Sequence, residues 1–293
     1  MELADLVLSL LPAEGRGAHV AFVGAGGKTS GLYALAGELA AHHARVLVTT
    51  TTMIYDPRGE DGRVLDRIEL VPELGPRSEA GSQAWIDGSV SEAEKAAVER
   101  IGSLASPGKI LLLASAALPA EGKLRGVSPD LLCALTTAFD YLLVEADGAH
   151  RLPIKAPGPR EPVLSPCVDL VVGCMGLDCL GMPIGPASVH RHELFAPLVG
   201  AAPGDRITGA HLASLACAGE GLFKSSPREA RRLVALNKAE LISAEARAAL
   251  LDLFASNPAC RADAVAACRF AAPSGRVIDV RRRSPRGGSA RLY

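Results

Sequence analysis

The sequence predicts an α/β protein, a doubly wound and mainly parallel sheet with helices on both faces, on three observations. Apolar runs of strand length recur along the chain, they are nearly continuous rather than alternating, and segments with helix-start signals separate them. Continuous apolar runs suit strands buried on both faces. Regular alternation of strand with helix is the pattern that winds a parallel sheet. With 293 residues the chain can form one large domain of this kind, which is the expectation for residues 1–280.

The predicted strands, in order, are 18–24 (AHVAFVG), 45–52 (RVLVTTTT), 109–115 (KILLLAS), 140–145 (DYLLVE), 168–174 (VDLVVGC) and 232–237 (RLVALN). Helices are predicted over 28–43, over 91–105 after Ser91, over 129–138 from Ser128-Pro129, and over 209–217 after Thr208. Two more follow Ser226-Pro227 (227–232) and Ser243 (244–255). Ser or Thr at an N-cap, with Pro at the first helical position, is favoured because the missing Pro amide would be unpaired there anyway. Residues 56–90 are rich in Gly, Pro and charge and read as a peripheral excursion from the sheet's edge. Residues 281–293 (RRRSPRGGSARLY) read as a basic, disordered tail.

Apolar residues make up 48% of the chain and charged ones 22%, an ordinary globular balance. A net charge of −1 gives no broad field for nucleic acid or an acidic membrane, so neither partner is expected. The start, MELADLVLSLLPAEGRG, carries acidic residues where a secretory signal carries basic ones, and no apolar run reaches the about 18 residues of a membrane span. A cytoplasmic location is the expectation.

Seven cysteines (133, 167, 174, 179, 217, 260, 268) form an odd set without a CxxC pair. That argues against a disulfide framework and a zinc ribbon, and makes most of them small core residues. Cys167, Cys174 and Cys179 cluster in sequence, and a metal- or selenium-handling role for them is the alternative to packing.

The stretch FVGAGGKTS, residues 22–30, has the strand–turn–helix setting of a phosphate-binding loop, with Phe22 where the pattern's first glycine would stand. Gly24, Ala25, Gly26 and Gly27 would turn the backbone so that N–H groups face a phosphate at the helix start. Lys28 would reach the phosphates, and Thr29, or more weakly Ser30, would join a Mg2+ shell. A dinucleotide site is disfavoured, because Thr29 stands where a third glycine is required and the second strand ends in threonines rather than an acid.

LLVEADGAHR, residues 142–151, ends a strand in two carboxylates at i and i+2, which places Glu145 and Asp147 on one side of the sheet's carboxyl edge. Asp147 is assigned to the metal and Glu145 to the attacking water or the substrate, with the roles exchangeable. Thr51 and Thr52, ending the Thr49–Thr52 run, could bind substrate phosphate or the metal's waters. Asn237 and Lys238 of VALNKAE are candidate base contacts, since guanine readers use Asn-Lys-x-Asp, although Glu240 here replaces Asp. Arg151 and Lys155 of HRLPIKAP, with Arg191 and Glu193 of VHRHELF, could grip an anionic substrate. His190 and His192 form a His-x-His pair without an evident third metal ligand.

Taken in order, GAGGKTS, VLVTTTTMI, LLVEADGAHRLPIKAP, GLDCLGMPI, VHRHELF and LNKAE resemble the YqeC-type family over residues 18–240. The resemblance implies a P-loop-type NTPase fold acting as an accessory factor in maturation of the cofactor of selenium-dependent molybdenum hydroxylases. Its matching positions are Gly24, Gly26, Gly27, Lys28, Thr29, Glu145, Asp147, Gly148, Arg191 and Glu193. The loop, the paired acids and the Asn-Lys segment point to Mg2+ with ATP or GTP as cofactors, and the resemblance points to a molybdenum hydroxylase as partner. The alternatives are a small-molecule kinase or nucleotidyl-transferring enzyme, and a metallocofactor carrier that hydrolyses nothing.

Overall fold

The computed structural model describes residues 1–12, 17–59, 65–76, 91–271 and 274–283. Its strands are β1 (Ala18–Gly24), β2 (Val46–Thr50), β3 (Met53–Tyr55), β4 (Arg67–Leu70), β5 (Ile110–Ala114), β6 (Ala116–Leu118), β7 (Lys123–Arg125), β8 (Tyr141–Glu145), β9 (Ile154–Lys155), β10 (Leu170–Gly176), β11 (Val189–His190), β12 (Arg231–Asn237), β13 (Ala264–Ala271) and β14 (Ser274–Arg282). The helices are α1 (Leu3–Leu8), α2 (Lys28–Ala41), α3 (Glu92–Gly102), α4 (Leu132–Leu135), α5 (His192–Leu198), α6 (Gly209–Cys217) and α7 (Ala244–Ser256).

Nine strands join in the order β14-β13-β12-β10-β1-β8-β2-β5-β4, parallel throughout except for the β13–β14 pair. The predicted α/β class with a large, mainly parallel sheet is therefore present. Side chains alternate along each strand between two cores. Val20 and Phe22 of β1 face a core shared with α1 and α2, whereas Ala21 and Val23 face one shared with α5, α6 and α7. Leu142 and Val144 of β8 point to a third cluster, under α3 and α4. β3, β6 and β7 form a small antiparallel sheet, and β9 pairs with β11. No helix among the described residues is long and apolar enough to cross a membrane.

Several elements differ from the sequence expectation for identifiable reasons. Residues 227–230 form a turn rather than a helix, because the Arg231 N–H donates to the Asp169 carbonyl at 2.8 Å and draws the chain into β12. The helix expected over 129–138 shrinks to a 3₁₀ turn followed by α4. Its last carbonyls must meet the start of β1, where the Gly17 N–H bonds the Thr136 carbonyl at 2.8 Å. Within the 56–90 excursion, β4 joins the main sheet as its edge strand beside β5, while residues 60–64 and 77–90 lie outside the described residues. β14 runs through Arg281 and Arg282, so the basic end is part of the sheet that far; residues 284–293 lie outside the described residues.

Phe22 is fully buried inside β1 and the turn begins only at Gly24. Its ring lies against α2 at Gly31, where a Cβ would stand 3.3 Å from Phe22 and 2.8 Å from Phe270. Phe22 is therefore a core residue of β1, two residues ahead of the turn, and a glycine there would remove its packing. Phe22→Ala is expected to lower the unfolding free energy by about 3–5 kcal/mol, read from the midpoint of urea denaturation.

Candidate functional site

The carboxyl ends of β1 and β8 lie side by side, with Phe22 opposite Glu145 in register. The chain leaves β1 through Gly24 (φ +87°), Gly26 (φ +71°) and Gly27 (φ +134°), backbone conformations that L side chains rarely adopt. Space is as restrictive as φ: a Cβ on Gly26 would meet the Gly176 nitrogen at 2.2 Å and the Pro153 carbonyl oxygen at 2.4 Å. Neighbouring segments fix the turn. The Ala25 N–H donates to the Cys174 carbonyl at 3.0 Å and the Gly26 N–H to the Leu152 carbonyl at 3.2 Å. Helix α2 starts at Lys28, so the N–H groups of its first turn have no acceptor within the helix and carry its positive dipole end.

A buried ion cluster supports this turn. Asp147 is 1% exposed, and its Oδ2 accepts from the Gly24 N–H at 3.0 Å. Lys28 Nζ lies 3.1 Å from Oδ1 in ion-pair contact, without the direction of a hydrogen bond, and donates instead to the Gly24 carbonyl at 2.6 Å. Lys155, 1% exposed, lies 3.1 Å from Asp147 Oδ2 and donates to the Gly148 carbonyl at 2.6 Å. Burial alone would drive the Lys28 proton off, but the Asp147 and Glu145 charges outweigh it and raise the pKa.

Lys155 also donates to Glu161, whose carboxylate takes a two-pronged contact from Arg191 at 2.6 and 3.0 Å. Burial opposes ionisation of Glu161, yet the hydrogen bonds and charges of Arg191 and Lys155 bring its pKa down to about 2. Beside them His150 and His190 stack with ring centroids 4.5 Å apart, and His190 falls to about 4 through burial and the Arg191 and Lys155 charges.

Glu145 has a different setting. Its Oε2 accepts from the Thr29 hydroxyl at 2.7 Å, across the gap between β8 and the start of α2. Both residues line a cleft of about 1150 Å³ that runs from the loop past Tyr55, Arg151 and Arg191 to Lys238 and Phe270. Six cationic side chains line it (Lys28, Lys123, Arg151, Arg191, Lys238, Arg269) against three carboxylates (Glu145, Glu161, Glu240). Four of the six are ion-paired among the described residues, Lys28 with Asp147, Lys123 with Glu121, Arg191 with Glu161 and Lys238 with Asp178, so the lining carries both signs of charge.

The structure brings Gly26, Gly27, Lys28, Thr29, Ser30, Thr52, Glu145, Arg151, Arg191 and Lys238 of the sequence candidates to this cleft. Other candidates lie elsewhere. Asp147 is enclosed by two lysines, whose charges oppose a metal cation, so its expected metal role does not suit its surroundings. Lys155 is sealed in the same cluster rather than presented to a substrate. The Thr51 hydroxyl donates to the Val163 carbonyl at 2.6 Å, away from the cleft, because alternate residues of an extended chain point apart. Asn237 reaches the cleft wall, but its amide joins two backbones: Nδ2 donates to the Gly26 carbonyl and Oδ1 accepts from the Phe270 N–H, each at 2.9 Å. It braces the loop and is poorly placed as a base contact. Glu193 is 62% exposed beside His192 and does not line the cleft. Lys238 forms an ion pair with Asp178.

Glu161, Tyr55, Arg269 and Phe270 are among the site residues that sequence reasoning missed. Glu161 sits in the aperiodic PGPREP segment, six residues after Lys155, and that proximity was its signal in the sequence. Cys133 and Cys167 form a disulfide, against the expectation drawn from cysteine spacing. Residues far apart in sequence meet there where α4 packs beside the start of β10. Cys174 and Cys179 face opposite sides of the sheet, and no group of three or more His, Cys, Asp or Glu among the described residues could hold a metal ion.

Fold and site together define an α/β protein whose mainly parallel sheet carries, at its carboxyl edge, a cleft built on a glycine turn and lined by both signs of charge. The YqeC protein family model matches residues 20–193, and the chain belongs to that family. The chain is similar to the uncharacterized protein YqeC of Escherichia coli (strain K12), 31% identical over 230 residues that cover 78% of each chain. The family match includes the turn, the ion cluster, Glu161 and Arg191, and ends before Asn237.

Because Glu161 has a folded pKa of about 2, below its ordinary 4.5, its stabilisation is complete above pH 4.5 and is lost as pH falls toward 2. The full effect is on the order of 3 kcal/mol. Melting temperatures measured from pH 6 to pH 2.5 are expected to fall steeply at the acid end, and Glu161→Gln should flatten that part of the curve.

Proposed function

We propose that the protein binds a Mg2+–nucleoside triphosphate in this cleft and hydrolyses it; because the Gly24, Ala25 and Gly26 N–H groups are held by Asp147, Cys174 and Leu152, the phosphates would be met at the start of α2, as at the helix end of a P-loop. The Thr29–Glu145 contact carries this reading. A hydroxyl at the helix start bonded to a carboxylate at the end of the adjacent strand is an oxygen-only donor set, which fits Mg2+. Of the two exchangeable carboxylates, Glu145 is therefore the one for the metal, and Asp147 holds the turn and Lys28. Bound there, Mg2+ would supply neutralisation of phosphate charge.

The chain's own residues do the rest. The N–H groups at the start of α2 and the Lys28 ammonium group hold phosphate oxygens, with Lys28 moving from the Gly24 carbonyl to the ligand. Lys28 can make that exchange because Asp147 keeps it protonated throughout. Thr29 orients Glu145, and Arg151 and Arg269 on the cleft walls would meet the ligand's negative charge. ATP and GTP are both candidates, with Glu240 on the wall in place of the Asp that guanine readers use. The family resemblance supports the further role of an accessory factor in maturation of a selenium- and molybdenum-containing hydroxylase cofactor, with the hydroxylase as partner.

A second reading, phosphoryl or nucleotidyl transfer to an anionic acceptor, is favoured by one observation. Arg151 lies 4.2 Å over the Tyr55 ring and Lys123 lies 5.6 Å from it, so two cations line the wall across from the turn. Release of free phosphate without an acceptor supports hydrolysis, and nucleotide consumption only with an acceptor supports transfer.

Titration with ATP, GTP and CTP in the presence of Mg2+ is expected to show binding that Lys28→Ala weakens by at least about tenfold, the loss of one charge-assisted contact. Thr29→Ala and Glu145→Gln should remove the Mg2+ dependence while leaving Mg2+-free nucleotide affinity nearly unchanged. Absence of nucleotide binding by the wild-type protein overturns the proposal.

A further inference from the structure

The amino edge of the sheet, away from the cleft, carries a second group of reactive side chains. Cys133, in α4, and Cys167, three residues before β10, are joined as a disulfide, and both are partly exposed. Cys167 lines a cavity of about 440 Å³, together with Leu10, Pro166, Asp169, Arg228 and Arg231.

Two polar side chains converge on the sulfurs. The Ser165 hydroxyl lies 3.4 Å from Cys133 Sγ and 3.1 Å from Cys167 Sγ. His19 is fully buried in β1, with Nδ1 3.5 Å from Cys167 Sγ, and its Nε2 has no hydrogen-bond partner among the described residues. Burying an imidazole with half its hydrogen-bonding capacity unused is costly. Of the five other cysteines, Cys174, Cys179, Cys260 and Cys268 are buried, and Cys217 is partly exposed but has no disulfide partner. Burial raises the Cys174 and Cys179 thiols to about 12, far from the thiolate form that reacts.

We propose that Cys133–Cys167 is a thiol–disulfide exchange site for a small thiol that enters through the cavity at Cys167. The entering thiolate attacks Cys167 Sγ. The Cys133–Cys167 bond breaks, its electron pair leaves on Cys133 Sγ, and Ser165 donates a hydrogen bond to that thiolate. A new disulfide now joins Cys167 to the incoming sulfur. A second thiolate attacks the incoming sulfur and releases Cys167 as thiolate. Solvent protonates both cysteines, and the Cys167 S–H donates to His19 Nδ1. Two small thiols are oxidised to one disulfide while the protein disulfide is reduced to two thiols. Arg228 and Arg231 beside Glu229 and Asp169 give the cavity both signs of charge, which suits a zwitterionic thiol.

Full-length protein purified without reductant is treated with reduced glutathione in the absence of denaturant, alkylated and mapped by mass spectrometry. The expected result is a gain of two alkylated thiols, at Cys133 and Cys167, with the other cysteines unchanged. Folded Cys133→Ser protein, checked by circular dichroism, should take one glutathione from oxidised glutathione, on Cys167. The proposal is overturned if both cysteines are already free in the air-oxidised protein, or if the wild-type bond resists glutathione until denaturant is added. The wild-type measurement decides the matter even if the variant does not fold.

Discussion

The site depends on one buried carboxylate. Asp147 holds the Gly24 N–H, faces Lys28 and faces Lys155, each within 3.1 Å. Removing one member of such a buried set leaves an uncompensated charge in a low-dielectric interior, a loss of about 3–5 kcal/mol. The cluster also connects elements that share no ladder. Through Lys155 it positions β9, and through Glu161 and Arg191 it fixes the residue that precedes α5. Arg191 itself has φ +60°, so the Glu161 contact holds a non-glycine residue in a backbone region it rarely occupies.

The glycine turn is the counterpart of that cluster. Its carbonyls and amides are drawn in different directions: the Gly24 carbonyl accepts from Lys28, and the Gly26 carbonyl accepts from Asn237. Only residues without a Cβ allow this. At Gly27 a Cβ would lie 2.2 Å from Asn237 Nδ2. Asn237 thus couples the turn to β13, and the antiparallel β13–β14 pair, the part of the sheet that departs from the parallel pattern, becomes a support for the cleft.

What the sequence revealed follows from what its signals measure. Continuous apolar runs report burial on two faces, so β1, β2, β5, β8, β10 and β12 were legible, and with them the carboxyl edge where the cleft lies. β13 was not, because AVAACRFA is rich in alanine, a weak strand former, and its place is fixed by β12 and β14 rather than by its own preference. In the site, the turn and the paired acids were legible because they are contiguous. The roles of Asn237, Thr51 and Glu161 were not, since each is decided by a partner between 30 and 211 residues away. Composition likewise counted cysteines without showing that α4 and the start of β10 bring two of them together.

The two acids of EADG show how register assigns chemistry that spacing leaves open. At i and i+2 they share a side of the chain, and in sequence their roles are interchangeable. In the sheet, Glu145 stands level with Phe22, two residues before the turn, so the chain that passes through Gly24 to Gly27 returns over it and sets the Thr29 hydroxyl 2.7 Å away. Asp147 lies two residues further on, level with Gly24, beneath the turn rather than in front of it, where the available partners are a backbone N–H and two ammonium groups. One carboxylate consequently faces an open cleft beside an oxygen donor, and the other is neutralised within the protein. The residue at position 22 matters for the same reason. A strand residue there, packed by its ring against α2, keeps β1 extended until Gly24 and so sets the level at which both acids meet the turn.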